Sequence, residues 1–220
     1  MEHKRLTLFA GHYGSGKTNI AVNYAIAMAQ EGKQVCIADL DIVNPYFRTK
    51  DSAQRLAEAG ITLISPQFAN SNVDLPALPA EAYKLVTDRS TYAIMDIGGD
   101  DRGAYALGRY VPAILEENNY EMIYVANCYR PLTKTPEDTL EVMREIEAAS
   151  GIPFTGIVNN SNLGVETTPE DVVKSIMYAQ ELSRISKLPV VFTTVNNSIA
   201  EQIGDKIPDL FPLELQKNKF

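Results

Sequence analysis

The sequence predicts an α/β fold of three layers: a doubly wound, mostly parallel sheet of about seven strands, with helices on both faces, in a single domain over residues 1–220. Three observations predict it. Apolar runs recur at residues 6–10, 34–40, 61–65, 92–97, 122–128, 154–159 and 190–195. Amphipathic stretches separate most of them, as in repeated strand–helix units. The runs are continuously apolar rather than alternating, which is the pattern of strands covered on both sides.

Residues 6–10, Leu-Thr-Leu-Phe-Ala, form the first strand. The next eight, Gly11 to Thr18, read Gly-His-Tyr-Gly-Ser-Gly-Lys-Thr and match the phosphate-loop pattern G-x-x-x-x-G-K-[ST] in full. Residues 19–30 continue as a helix. Strand, glycine loop and helix in that order aim successive backbone N–H groups at an anion, with the positive end of the helix dipole behind them. The residues expected around the phosphates are Gly11, His12, Tyr13, Gly14, Ser15, Gly16, Lys17, Thr18 and Asn19. Lys17 reaches the β- and γ-phosphates as a point charge, and the Thr18 hydroxyl takes one position on Mg²⁺. Gly32 ends the helix in a left-handed position.

The second strand closes on Asp39-Leu40-Asp41, followed by Asn44-Pro45-Tyr46-Phe47-Arg48. Strand ends of a doubly wound sheet face the ligand crevice, and residues two apart leave a strand on the same side. Asp39 and Asp41 are therefore candidates for the Mg²⁺ shell and for orienting an attacking water; capping the next helix is the plainer reading. After the strand at 61–65, residues 65–79 are rich in Pro, Asn and Ala and read either as a flap or partner surface or as a plain surface loop. The fourth strand closes on Asp96-Ile97-Gly98-Gly99, an acid after four apolar positions, as in a Walker B strand. There Asp96 binds metal and the glycines let the backbone hinge toward a γ-phosphate.

Thr135-Pro136 and Thr168-Pro169 each supply an N-cap threonine and a proline at the first helical position, and Ser150-Gly151 ends the first of these helices. Between them, the sixth strand runs into Asn159-Asn160. A side-chain amide there offers a purine edge both a donor and an acceptor; the same residues also suit a turn. The guanine-selecting Asn-Lys-x-Asp arrangement is absent, so adenine is the expected base.

Composition narrows the function classes. The chain is 45% hydrophobic and 22% charged, and 20 Lys+Arg against 28 Asp+Glu give a net charge of -8. Without a basic cluster, direct nucleic-acid binding is disfavoured. No apolar leader or membrane-length run is present, so a cytoplasmic protein without a membrane partner is expected. Cys36 and Cys128, both in strand-like runs, read as small buried hydrophobes, and two scattered histidines do not make a zinc site.

Together the loop, the Asp39-Leu40-Asp41 and Asp96-Ile97-Gly98-Gly99 strand ends and Asn159-Asn160 resemble the MinD/ParA/CobQ group of P-loop nucleotide-binding proteins, over residues 6 to about 195. The resemblance implies ATP and Mg²⁺, with Asp41 orienting water, Asp39 near the metal, Asp96 as the Walker B acid and Asn159 or Asn160 on adenine. Lys17 and Asp41 are thereby the expected catalytic pair. It also implies homodimers across the nucleotide in many members. One branch carries a lysine directly after the first loop glycine, reaching the partner's phosphates; here that position is His12, shorter than lysine and not a permanent cation. Arg48, Arg102 and Arg130, each near a strand end, are candidates to supply the missing charge. The absence of a C-x-x-C pair argues against an iron–sulfur carrier, and residues 212–220 are too short for a membrane-binding helix. The expected function is a slow regulatory or chaperone-like ATPase acting on an unidentified protein client. The alternative is a small-molecule kinase or ATP-dependent ligase resembling dethiobiotin synthetase.

Overall fold

The computed structural model describes residues 3–40, 49–65, 80–99 and 101–215. Its strands are β1 (Leu6–Ala10), β2 (Val35–Leu40), β3 (Thr62–Ile64), β4 (Tyr92–Ile97), β5 (Tyr120–Ala126), β6 (Gly156–Asn159), β7 (Val190–Asn196) and β8 (Leu210–Leu213). They form one sheet in the order β3-β2-β4-β1-β5-β6-β7-β8, parallel at every pairing. The chain leaves β1 toward one edge and, after β4, crosses to the other. This reversal opens a crevice beyond the carboxyl ends of the central strands.

The helices are α1 (Lys17–Gln30), α2 (Ala53–Glu58), α3 (Lys84–Thr87), α4 (Asp101–Gly108), α5 (Val111–Glu117), α6 (Pro136–Ser150), α7 (Pro169–Ser186) and α8 (Asn197–Ile203). Two core layers result, one on each face of the sheet. Phe9, Ile37, Ile94, Ile123 and Val125 point toward Ile20, Val22, Ala25 and Met28 of α1. Their strand neighbours Leu8, Ala38, Met95, Met122 and Tyr124 point the other way, where Leu107, Ile114, Met143 and Leu182 cover them. Every residue of β1 and β2 is buried, which is why these strands are apolar throughout rather than alternating.

The predicted caps form. Thr135 accepts from the Asp138 N–H at 3.1 Å, and Thr168 and Asp171 make a reciprocal capping box with Pro169 at the first helical position. Gly32 and Gly151 follow α1 and α6 in the left-handed conformation.

Among the described residues the sheet has eight strands, where about seven were expected. β8 escapes a sequence pattern because it is short and contains Pro212. The Thr193 N–H donates to the Asp209 carbonyl at 3.1 Å, so residues 209, 211 and 213 turn their backbone toward β7 and Pro212 turns its nitrogen outward. A proline is tolerated only at such an edge position. Cys128 also lies outside a strand, in the turn after β5, and is half-buried; Cys36 lies in β2 and is buried. Among the described residues no helix is long and apolar enough to cross a membrane.

Candidate functional site

The crevice is occupied by the glycine loop between β1 and α1. Gly16 is the N-cap of α1, left-handed at φ 92, with no side chain capping the helix and no acidic residue in its first turn. No side chain competes there with an anion, and the helix dipole favours negative charge at this end. Within the loop the Ser15 N–H donates to the His12 carbonyl at 3.1 Å, and the buried Lys17 folds back so that Nζ donates to the same carbonyl at 3.2 Å. Thr18, beside it, is buried; Asn19 is half-buried. His12 turns its ring onto its own chain, Nδ1 donating to the Tyr13 carbonyl at 2.9 Å, and Tyr13 is exposed.

Asp39 and Asp96 are brought together. They are register partners on the adjacent strands β2 and β4, and each lies two residues beyond an isoleucine packed against α1, Ile37 and Ile94. Side chains alternate along a strand, so both carboxylates project to the α1 face, toward the helix end that begins with Lys17 and Thr18. Both are buried. Asp96 Oδ2 accepts from the Thr49 hydroxyl at 3.0 Å, and Thr49 is itself wholly buried. Just beyond Asp96, Gly99 lies against the loop: a Cβ there would come within 2.8 Å of both Lys17 Nζ and the Tyr13 backbone nitrogen. Only glycine allows the chain after β4 to approach the phosphate loop this closely.

The two asparagines take different faces, as alternation requires. Asn160, two residues past Val158 of the α1-side core, donates from Nδ2 to the Ser15 carbonyl at 2.6 Å and accepts at Oδ1 from the Thr194 hydroxyl of β7. The same Nδ2 fills the space a Cβ on Gly16 would need. Asn159 turns to α7, where Nδ2 donates to Ser175 Oγ at 2.8 Å and Oδ1 accepts the Ser161 N–H at 3.2 Å. Of the pair, only Asn160 touches the phosphate loop.

Arg130 lies beside Gly14. Asp41, the motif from Asn44 to Arg48, most of the 65–79 segment and the Arg102 side chain lie outside the described residues. Thr49 and Thr194 were missed by sequence reasoning. Thr194 had a signal, two adjacent threonines inside an apolar strand; Thr49 had none. A cavity of ≈ 210 Å³ lined by Gln34, Cys36, Thr62, Lys84, Asp88 and Thr91 opens at the amino ends of the strands, away from this site.

The chain is 28% identical over 167 residues to the iron-sulfur cluster carrier protein of Escherichia coli (strain K12), an alignment covering 76% of the chain and 39% of the relative. It spans well under half the length of that curated relative. Among solved structures it is similar to the cell division protein FtsY of Thermotoga maritima, with a TM-score of 0.59 at 18% identity over 89% of this chain and 63% of that one. It is also similar to the signal recognition particle 54 kDa protein of Aeropyrum pernix in complex with GDP, with a TM-score of 0.55 at 16% identity over 86% of this chain and 40% of that one. These likenesses establish a shared fold. The CobQ/CobB/MinD/ParA nucleotide binding domain model matches residues 6–201, nearly the whole described sheet with its loop and both acidic strand ends, and the chain belongs to that family.

Proposed function

We propose that the chain is a Mg²⁺-dependent ATP-binding protein, a slow regulatory or chaperone-like ATPase whose nucleotide state is read by a protein client. One observation carries this reading. Asp39 and Asp96 project from neighbouring strands toward the start of α1, and Thr49 ties Asp96 to the chain that follows β2. An acid that faces the phosphate loop and also holds a neighbouring segment is suited to pass the state of a γ-phosphate to surface loops.

The donor set suits Mg²⁺. Among the described residues no cluster of three or more His, Cys, Asp or Glu side chains could cage an ion. Mg²⁺ needs none, since it is held by one or two carboxylates together with phosphate oxygens and waters. Thr18, Asp39 and Asp96 would hold it, and it would neutralise charge on the phosphates. Adenine is the proposed base because no carboxylate follows Asn160 at the guanine-selecting position; residues 160–163 read Asn-Ser-Asn-Leu.

The two cysteines do not support iron–sulfur carriage, the activity in the relative's name. Cys36 is the second residue of β2, near its amino end, and Cys128 follows the carboxyl end of β5, three strands across, or roughly 14 Å at the usual strand spacing. Within one chain they cannot ligate one cluster. Burial pushes the Cys36 thiol up to about 11, with Asp88 adding to it, and pushes the Cys128 thiol up as well.

The test is phosphate release from ATP by the purified chain with no added substrate. Slow, Mg²⁺-dependent release is expected, with ATP bound more tightly than GTP in calorimetric titration; strict dependence on an added metabolite would instead identify a kinase or ligase. The asparagines supply a second check. Asn160→Ala leaves the Ser15 carbonyl and the Thr194 hydroxyl unpaired at the loop, and is expected to weaken ATP binding about 10-fold, the scale of one or two lost hydrogen bonds. Asn159→Ala should lower the melting temperature and leave ATP affinity within about twofold, since its side-chain partners are Ser175 of α7 and the Ser161 N–H rather than the phosphate loop. Equal losses of affinity in the two variants would remove the distinction.

A further inference from the structure

The turn after β5 places a cation against the phosphate loop. Its backbone is fixed: the Arg130 N–H donates to the Asn127 carbonyl at 3.2 Å and the Thr133 N–H to the Arg130 carbonyl at 3.2 Å. Asn127 Oδ1 accepts from the Tyr129 N–H at 3.0 Å, and Thr133 Oγ1 donates to the Asn127 carbonyl at 2.8 Å. From this anchor the Arg130 side chain lies along Gly14, where a Cβ would stand 3.7 Å from Nε and 3.9 Å from Cδ and Cζ. Nε is buried and has no hydrogen-bond partner among the described residues. Among them Arg130 also forms no ion pair.

A buried donor without an acceptor is unfavourable, and a guanidinium keeps its charge at any pH a folded protein meets. The side chain is therefore held at a net cost beside an uncapped helix end that attracts anions. At His12, Nδ1 is taken up by the Tyr13 carbonyl, so only Nε2 is left to face an anion. We propose that Arg130 binds the phosphates of the nucleotide from within the same chain, supplying in cis the positive charge that a lysine at position 12 would supply from a partner. The inference rests on the nucleotide-binding reading above. A planar fork of N–H donors suits phosphate oxygens, and the bare Cα of Gly14 lets the guanidinium lie close to the loop.

Arg130→Met keeps an apolar stem along Gly14 and removes the charge; Arg130→Lys keeps the charge and loses the fork. For Arg130→Met, ATP affinity is expected to fall about 10- to 100-fold, the scale of a charge-assisted contact to phosphate. The loss should grow from AMP to ADP to ATP, turnover should fall with it, and the melting temperature should stay near that of the parent. Arg130→Lys should recover part of the affinity for ATP. Parent-like binding and turnover in Arg130→Met, while Lys17→Ala has lost both, would overturn this proposal and leave the nucleotide-binding reading standing. Failure of the parent itself to bind any adenine nucleotide would overturn both. Equimolar Arg130→Met and Lys17→Ala chains separate cis from trans: no recovery of turnover on mixing is expected, and recovery would show that the arginine serves a partner's site.

Discussion

Lys17→Ala is expected to cost about 100-fold or more in ATP affinity, with turnover lost alongside it. The side chain is buried, sits at the first position of α1 and folds over the loop onto the His12 carbonyl. Its ammonium is held where the anion would lie, and removing one partner of a buried charge pair costs on the order of 3 kcal/mol, which is about two decades in affinity. A phosphate contact made in the ground state as well as in the transition state would lower affinity and rate together. Titration with ATP and with ADP, beside a phosphate-release assay, measures both. ATP affinity within a few fold of the parent would place the phosphates elsewhere.

The second large effect separates chemistry from binding. Asp41→Ala is expected to lower turnover by roughly 10²-fold or more, the scale of a group that positions or deprotonates the attacking water, with ATP affinity within a few fold. The attacking water matters little to bound ATP, so its loss appears in the rate and not in the affinity. Asp96→Ala should behave differently, weakening nucleotide binding and its Mg²⁺ dependence together, because that acid is assigned to the metal in both states. Hydrolysis at the parent rate by Asp41→Ala would end the water-positioning role and leave Asp41 as a helix cap or a bystander at the end of β2.

The central strands and the loop were legible in the sequence because their signals are local. Continuous apolar runs encode two-sided burial, and the glycine and lysine spacing of residues 11–18 encodes a backbone shape. The caps at Thr135 and Thr168 were equally plain, since each motif is closed within four residues. β8 was not legible: four residues with a proline carry no strand signal, and its place depends on an open edge of β7. At the site, Asp39 and Asp96 were readable as strand ends, but their side-by-side register depends on β2 and β4 pairing across more than 50 residues of sequence. Thr49 and Thr194 act through partners 47 and 34 positions away, and no spacing rule reaches that far. The asparagine pair could be narrowed only once Val158 fixed which face Asn160 shares.

The outward-turned nitrogen of Pro212 has a bearing on how copies of this chain can meet. A sheet edge is ordinarily a template on which another strand, from a second copy or a fibril, can add its hydrogen bonds. Among the described residues one edge is the three-residue β3 and the other is the four-residue β8, whose outward side lacks a donor at Pro212. Neither offers a long ladder for a further strand, so the sheet is guarded against lateral growth at both ends. Stacking strand on strand is thereby a poor route to self-association for this molecule, whatever faces its copies use when they do assemble.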